Sequence, residues 1–308
     1  MRKFFWLPLF LLIACSAPLT PGATMTPQPT PPTSTLVAPA LTPIATAVPP
    51  STTPRRAPKP LIVAHRGGAA LAPENTLGAF AHALQLGADM LECDVHLSKD
   101  GHVIVMHDAE VSRTTNGRGY ISDLTLAELK QLNAAAKFSG GYAAQTIPTL
   151  GELLDLVKGK TVIQVEIKVN ARGQRYPGIE RLVVDLIQAR GMVSDVIIIS
   201  FDFPTLKEIK QIEPRLKTGA LVRADWFSAR GNNVERIVQE ALDATGADYF
   251  MPTYVPVTEA LVQAVHARGI KIGVWTVNNT FDMTRLAQWG VDAITTDRPD
   301  ELKRVLGR

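Results

Sequence analysis

MLECDVHLSKDGHVIVMHD, residues 90–108, holds two strand-like runs, Met90–Leu97 and Val103–Met106, separated only by the turn signal Ser98-Lys99-Asp100-Gly101. A parallel crossover needs a dozen or more residues, so the second run must return antiparallel as one arm of a hairpin. The other strand-like runs are Leu61–Ala64, Val162–Ile167, Val196–Ser200, Thr218–Val222, Asp248–Met251, Ile272–Thr276 and Ala293–Thr296. Helical patterns lie between them, among them Asn75–Leu86, Gly178–Ala189, Val234–Ala244, Thr258–Arg268 and Thr280–Trp289. Setting the hairpin arm aside leaves eight parallel strands alternating with helices over residues 61–308. The expected fold is an α/β (β/α)8 TIM barrel.

After the hairpin, residues 109–160 form an excursion before the next barrel strand, with an insertion over about 109–148. It has glycine-rich loops at Asn116–Gly119 and Ser139–Gly141, and a short helix Leu126–Leu132 opened by Asp123 or Thr125. Leu150–Val157 serves as the ordinary crossover helix. Lying between His107 and the next strand, the excursion is expected to roof or wall a pocket.

Strand side chains alternate faces, so Glu92 and Asp94 share one side of their strand while Leu91, Cys93 and Val95 share the other. The apolar set should face the helices, which turns the carboxylates into the barrel mouth, where catalytic groups of this fold reside. Glu166, near the end of the next barrel strand, can add a third carboxylate. Such a cluster is tolerable when a cation sits among its members, and oxygen ligation suits Mg²⁺ or Ca²⁺. Alternatively, each carboxylate pairs with a base such as Arg66 or Lys168. With Lys99-Asp100 or Asp100-Gly101 as the central turn residues, position 107 falls opposite 92 or 94 respectively. His65 arrives at the mouth from the first strand. Two histidines across a cation site suit cleavage of a phosphodiester, one taking the attacking hydroxyl's proton and the other protonating the leaving alkoxide. His96 shares the face of Glu92 and Asp94 and could edge the pocket. Trp275 is either core or a pocket wall, its position at the mouth favouring the wall; Asp297 is read as a loop anchor.

Elsewhere the chain is polarised. Residues 1–60 hold five of the 32 basic residues and no acidic one, so the remaining 27 bases face 29 acids. That balance gives no reason to invoke nucleic acid. Two cysteines, Cys15 and Cys93, exclude a disulfide framework. Residues 1–14 have a signal layout: Arg2-Lys3, then the apolar run Phe4–Ala14, too short to span a bilayer and interrupted by Pro8. Leu12-Ile13-Ala14-Cys15 resembles the bacterial lipoprotein signal, in which the cysteine is lipidated. The alternative is an ordinary secretory signal with an incidental cysteine. Residues 17–60 contain 13 of the 22 prolines and read as an extended spacer able to reach on the order of 100 Å. The expectation is an exported domain held by its lipid at the outer face of a bacterial cytoplasmic membrane, or at an outer membrane where one exists.

His65-Arg66-Gly67, Pro73-Glu74-Asn75-Thr76, Glu92-x-Asp94-Val95, Lys99-Asp100-Gly101, His107-Asp108, Glu166-x-Lys168 and Thr296-Asp297-Arg298-Pro299 occur in this order over nearly all of residues 61–308. The ordered set resembles the motif series of the glycerophosphodiester phosphodiesterase family. The resemblance implies a (β/α)8 barrel that hydrolyses small glycerophosphodiesters to sn-glycerol 3-phosphate and an alcohol. It implies His65 and His107 as the acid–base pair, Glu92, Asp94 and Glu166 as ligands of one divalent cation, and Arg66 and Lys168 as phosphate contacts. Two other readings keep the same residues: a lysophospholipase D-type enzyme, which needs a long apolar groove, and a non-catalytic glycerophosphodiester-binding lipoprotein, which needs no acid–base pair.

Overall fold

The computed structural model describes residues 58–308. The signal segment, Cys15 and nearly all of the proline-rich spacer lie outside the described residues. The strands are β1 (Leu61–Ala64), β2 (Met90–Leu97), β3 (Val103–Val105), β4 (Val162–Ile167), β5 (Val196–Ser200), β6 (Lys217–Val222), β7 (Tyr249–Pro252), β8 (Lys271–Val274) and β9 (Ala293–Thr296). Eight of them close into a parallel ring in the order β1-β2-β4-β5-β6-β7-β8-β9, with β9 paired back on β1. The remaining strand, β3, pairs antiparallel with the last residues of β2, as the short turn demands.

Period-two alternation builds the two layers. Leu91, Cys93 and Val95 join an outer core with the helix residues Phe80, Leu150, Leu153, Val183 and Ile187, all fully buried. Val63, Met90, Ile197, Ile199, Leu221 and Met251 form a separate inner cluster. Each large apolar side chain so buried stabilises the fold by about 1.5–3 kcal/mol. Glu92 and Asp94 follow Met90 along the inner face and reach the mouth. Helix starts are set by side-chain caps: Thr76, Thr149, Asp202, Asn233, Thr258 and Asn279 each accept a first-turn amide. A cap of this kind contributes about 1 kcal/mol.

The hairpin register differs from both sequence expectations by one residue. Val95 pairs with Val105, His96 with Ile104 and Leu97 with Val103, and Ser98 N donates to His102 O at 2.9 Å. The connection is therefore the three residues Lys99–Gly101, with Gly101 at φ 84°, a left-handed position that glycine adopts freely. An uninterrupted ladder would place His107 opposite Cys93, on the outward face. Residue pairing ends at Val105, and the last ladder bond runs from Met106 N to Asp94 O at 3.0 Å; beyond it the backbone carries His107 to the cavity instead.

The excursion also departs from expectation. Ile104, Met106, Val111, Ile121, Leu129 and Ile147 form a small core of their own, and no residue from 109–148 lines the central cavity. The insertion covers the hairpin arm because its apolar side chains find their partners there. Its short helix, Leu126–Lys130, is opened by Thr125 through a capping box with Glu128.

Candidate active site

β1 ends at Ala64, and His65-Arg66-Gly67-Gly68 turns the chain sharply. Arg66, Gly67 and Gly68 lie at φ 51°, 83° and 88°. A Cβ on Gly67 would stand 2.9 Å from the Cβ of Ala79, so only glycine allows the helix this close. The left-handed Arg66 costs on the order of 1 kcal/mol. Its amide offsets that cost by donating to Glu92 Oε2 at 3.0 Å.

Glu92, Asp94 and Glu166 meet at the mouth, each offering an oxygen within 4.8 Å of the others, and all three are buried. Two like charges about 4 Å apart repel by about 4 kcal/mol in a partly polar interior. Burial, together with the charge of Asp94, pushes the Glu92 carboxyl above its usual range, and burial does the same to Glu166. Burial would raise Asp94 too, but Lys168 and Arg66 outweigh it and hold Asp94 below its usual range. Lys168 Nζ lies 2.8 Å from Glu166 and 3.4 Å from Asp94 Oδ1, while Arg66 Nε is 3.3 Å from Asp94 Oδ2. These two cations leave three carboxylates under-compensated. Asp94 Oδ1, although 3.4 Å from Lys168 Nζ, and Gln164 Oε1 are buried without a hydrogen bond from any described residue. An all-oxygen donor set with an excess negative charge and an orphaned carboxylate oxygen fits a hard divalent cation.

The two histidines are held in the same manner. His65 Nδ1 bonds Asp297 Oδ1 at 2.6 Å, and His107 Nδ1 bonds Asp108 Oδ1 at 2.6 Å. A carboxylate on Nδ1 fixes the proton there and leaves Nε2 for chemistry. Their surroundings differ. Burial pulls His65 down, but the Asp297 hydrogen bond and the Glu92 charge overcome it and raise its pKa. Burial also pulls His107 down, and with Lys168 and Arg66 nearby its pKa stays below the ordinary value. Arg113 pairs with Asp108 and, at 2.7 Å, with Glu74, which in turn bonds Arg66 at 3.0 Å. Thus Asp108, Arg113 and Glu74 tie the His107 loop to the His65-Arg66 turn.

Both histidines, Arg66, Glu92, Glu166 and Lys168 line a cavity of about 280 Å³ at the strand ends. Its opposite wall is Ile199, Phe201, Leu221, Met251 and Trp275. Residues 65–301 match the Glycerophosphoryl diester phosphodiesterase family. The chain belongs to this family. A glycerophosphodiester phosphodiesterase of Caldanaerobacter subterraneus is 39% identical over 248 residues, which cover 79% of this chain and 96% of the relative. One from Bacillus subtilis is 33% identical over 260 residues, covering 80% and 86%. Among solved structures, a phosphodiesterase of Oleispira antarctica in complex with the product sn-glycerol-3-phosphate superposes with a TM-score of 0.71 at 29% identity, covering 81% of this chain and 98% of that one.

Within this glycerophosphodiester phosphodiesterase fold, His65, Arg66, Glu92, His107, Glu166, Lys168 and Trp275 line the cavity, and Asp94 is buried beside them in the carboxylate cluster. Trp275 is wall, its Nε1 donating to Met251 O at 2.8 Å and its ring edge-on to Phe201. His96 is not at the pocket edge. It is buried, its Nε2 bonding the His107 carbonyl at 3.0 Å and its Nδ1 the Tyr176 hydroxyl at 2.9 Å. Since a carbonyl only accepts, Nε2 carries the proton, and burial pushes the imidazole down to about 4. Asn75 lies just before the first helix, which starts at Leu77 behind its Thr76 cap. At φ 57° it donates through Nδ2 to Asp94 Oδ2 at 2.9 Å. Sequence reading missed this role, and it missed Asp297 as the partner of His65. The signals available were Asn in a Pro-Glu-Asn-Thr turn and an aspartate directly after the last strand.

Proposed function

We propose that this chain is a divalent-cation-dependent hydrolase that splits glycerophosphodiesters into sn-glycerol 3-phosphate and an alcohol by proton exchange between two histidines. One observation carries the reading: two cavity-lining imidazoles, each with Nδ1 on a carboxylate and with no hydrogen bond on Nε2 among the described residues, flank a buried three-carboxylate cluster, His65 Nε2 lying 3.9 Å from Glu92. Glu92, Asp94 and Glu166 would hold the cation, whose charge stabilises the negative charge that builds on the phosphoryl oxygens. His107, poised neutral, takes the proton of the attacking hydroxyl. His65, poised to keep its proton, gives it to the leaving alkoxide. Arg66 and Lys168 turn from the carboxylates toward the phosphate, and Trp275 packs against the organic part of the substrate. The test is incubation of the purified full chain with glycerophosphocholine, read by ³¹P NMR. The expected product is sn-glycerol 3-phosphate; phosphocholine as the phosphorylated product would contradict the assigned bond, and no turnover would contradict the activity.

The leader extends the proposal to location. Lipidation of Cys15 would tether the barrel outside the cytoplasmic membrane by a lipid rather than a span. No helix among the described residues is long and apolar enough to cross a membrane.

A further inference from the structure

Among the described residues three permanent cations line the cavity, and they are not in equivalent states. Arg66 and Lys168 both lie against carboxylates at 3.4 Å or less. Arg223, directly after β6, makes no ion pair or side-chain hydrogen bond with any described residue. Its guanidinium lies over the Phe201 ring, 3.8 Å from the centroid. Phe201 is itself braced edge-on by Trp275 at 5.3 Å. A guanidinium stacked on a ring is oriented while its in-plane N–H groups stay free for an anion.

Position decides which anion. In the ring order, β6 stands across from β1 and is separated from β2 by β4 and β5. Adjacent strands are about 4.8 Å apart, so the end of β6 lies on the order of 10 Å along the wall from the carboxylate cluster. The scissile phosphate belongs at that cluster, between His65 and His107. Arg223 also marks the junction of two spaces: Phe201, Leu221 and Arg223 line both the catalytic cavity and a neighbouring groove of about 530 Å³. The charged residues of that groove are Asp202, Asp225, Arg223 and Arg230, and Arg230 is already bonded to Glu240 at 2.8 Å. Asp202 caps a helix by accepting from Thr205 N at 3.0 Å. Among the described residues the groove has no broad positive field, so an anion there is read by Arg223 itself. The glycerol end of a glycerophosphodiester carries only hydroxyls. A second negative charge therefore has to belong to the alcohol.

Resting on the phosphodiesterase reading above, we propose that Arg223 is a specificity residue that binds an anionic group on the leaving alcohol, directing that alcohol past Phe201 into the outer groove. Glycerophosphoserine and glycerophosphoethanolamine form a matched pair, differing only by one carboxylate. The experiment measures kcat/KM for both with the wild-type chain, Arg223→Gln and Arg223→Lys. A charge-assisted bidentate contact predicts that Arg223→Gln lowers the serine-to-ethanolamine ratio by about tenfold, mostly through KM. Arg223→Lys, which keeps the charge but loses the planar fork, should recover part of the ratio. An unchanged ratio in Arg223→Gln, or an equal loss for both substrates, overturns the proposal, the second outcome assigning Arg223 to the scissile phosphate. If the wild-type chain hydrolyses neither substrate, the underlying activity is what fails.

Discussion

His65 and His107 are chemically identical side chains placed in opposing fields. Asp297 and Glu92 outweigh burial at His65 and raise its pKa, whereas burial, Lys168 and Arg66 keep His107 low. A base must be neutral and an acid protonated. The rate should therefore fall below the lowered His107 value as that ring protonates, and fall above the raised His65 value as that ring loses its proton. The expected kcat/KM profile is a bell spanning about pH 6.5. Asp297→Asn removes the carboxylate whose hydrogen bond and charge raise His65, so the alkaline limb should move to lower pH. Each histidine-to-alanine variant should lose about 10²–10⁴-fold on glycerophosphocholine. With a p-nitrophenyl ester, whose leaving group needs no proton, His65→Ala should regain most of its rate and His107→Ala should not. Equal rescue of both variants would dissolve the assignment. The residue types at the site were legible in the sequence because carboxylates and histidines at strand ends have few other uses. The partners were not: Asp297 lies 232 residues from His65 and meets it only through closure of the ring.

At the scale of elements, the strands were legible because each apolar run ends in a turn or a helix cap. What periodicity could not supply was the loop count of the hairpin. A two-residue and a three-residue connection share the same turn residues, and the left-handed Gly101 selects the longer one. The fate of the insertion was hidden for a related reason, since polarity shows which residues are buried but not against what. At the far end of the barrel from the cavity, Asp248 joins β6 to β7. It accepts from Lys210 at 2.6 Å, Lys217 at 2.9 Å and the Thr218 amide at 2.9 Å. Burial would raise its pKa, but the two lysines and that amide hold it low. A depressed carboxylate stabilises the fold above its unfolded value of about 3.9, and that contribution is lost as pH falls through the folded value. Because the group is partly exposed and screened, Asp248→Asn should cost only about 1–2 kcal/mol at pH 7. Urea denaturation should show the gap closing toward pH 4 and below. A gap independent of pH would mean that packing, not charge, is what the variant removes.

For the whole molecule, the chain divides into an acid-free leader and a barrel whose mouth carries the chemistry. If Cys15 is the anchor, the full chain expressed in a bacterial host should incorporate labelled palmitate and sediment with membranes. Cys15→Ser should do neither; unchanged labelling of that variant would place the lipid elsewhere. The barrel itself explains why no single motif suffices. His65 directly follows β1, Glu92 and Asp94 lie on β2 and His107 follows the hairpin, while Glu166 lies on β4 with Lys168 directly after it, across the insertion. Closing the ring packs three carboxylates into a space that two cations do not neutralise. The most direct measurement is therefore turnover of glycerophosphocholine by the purified chain before chelation, after exhaustive chelation, and after return of Mg²⁺ or Ca²⁺. Loss of sn-glycerol 3-phosphate formation on chelation, with recovery on adding one of these cations, is the predicted result; undiminished turnover by the metal-free chain would contradict it.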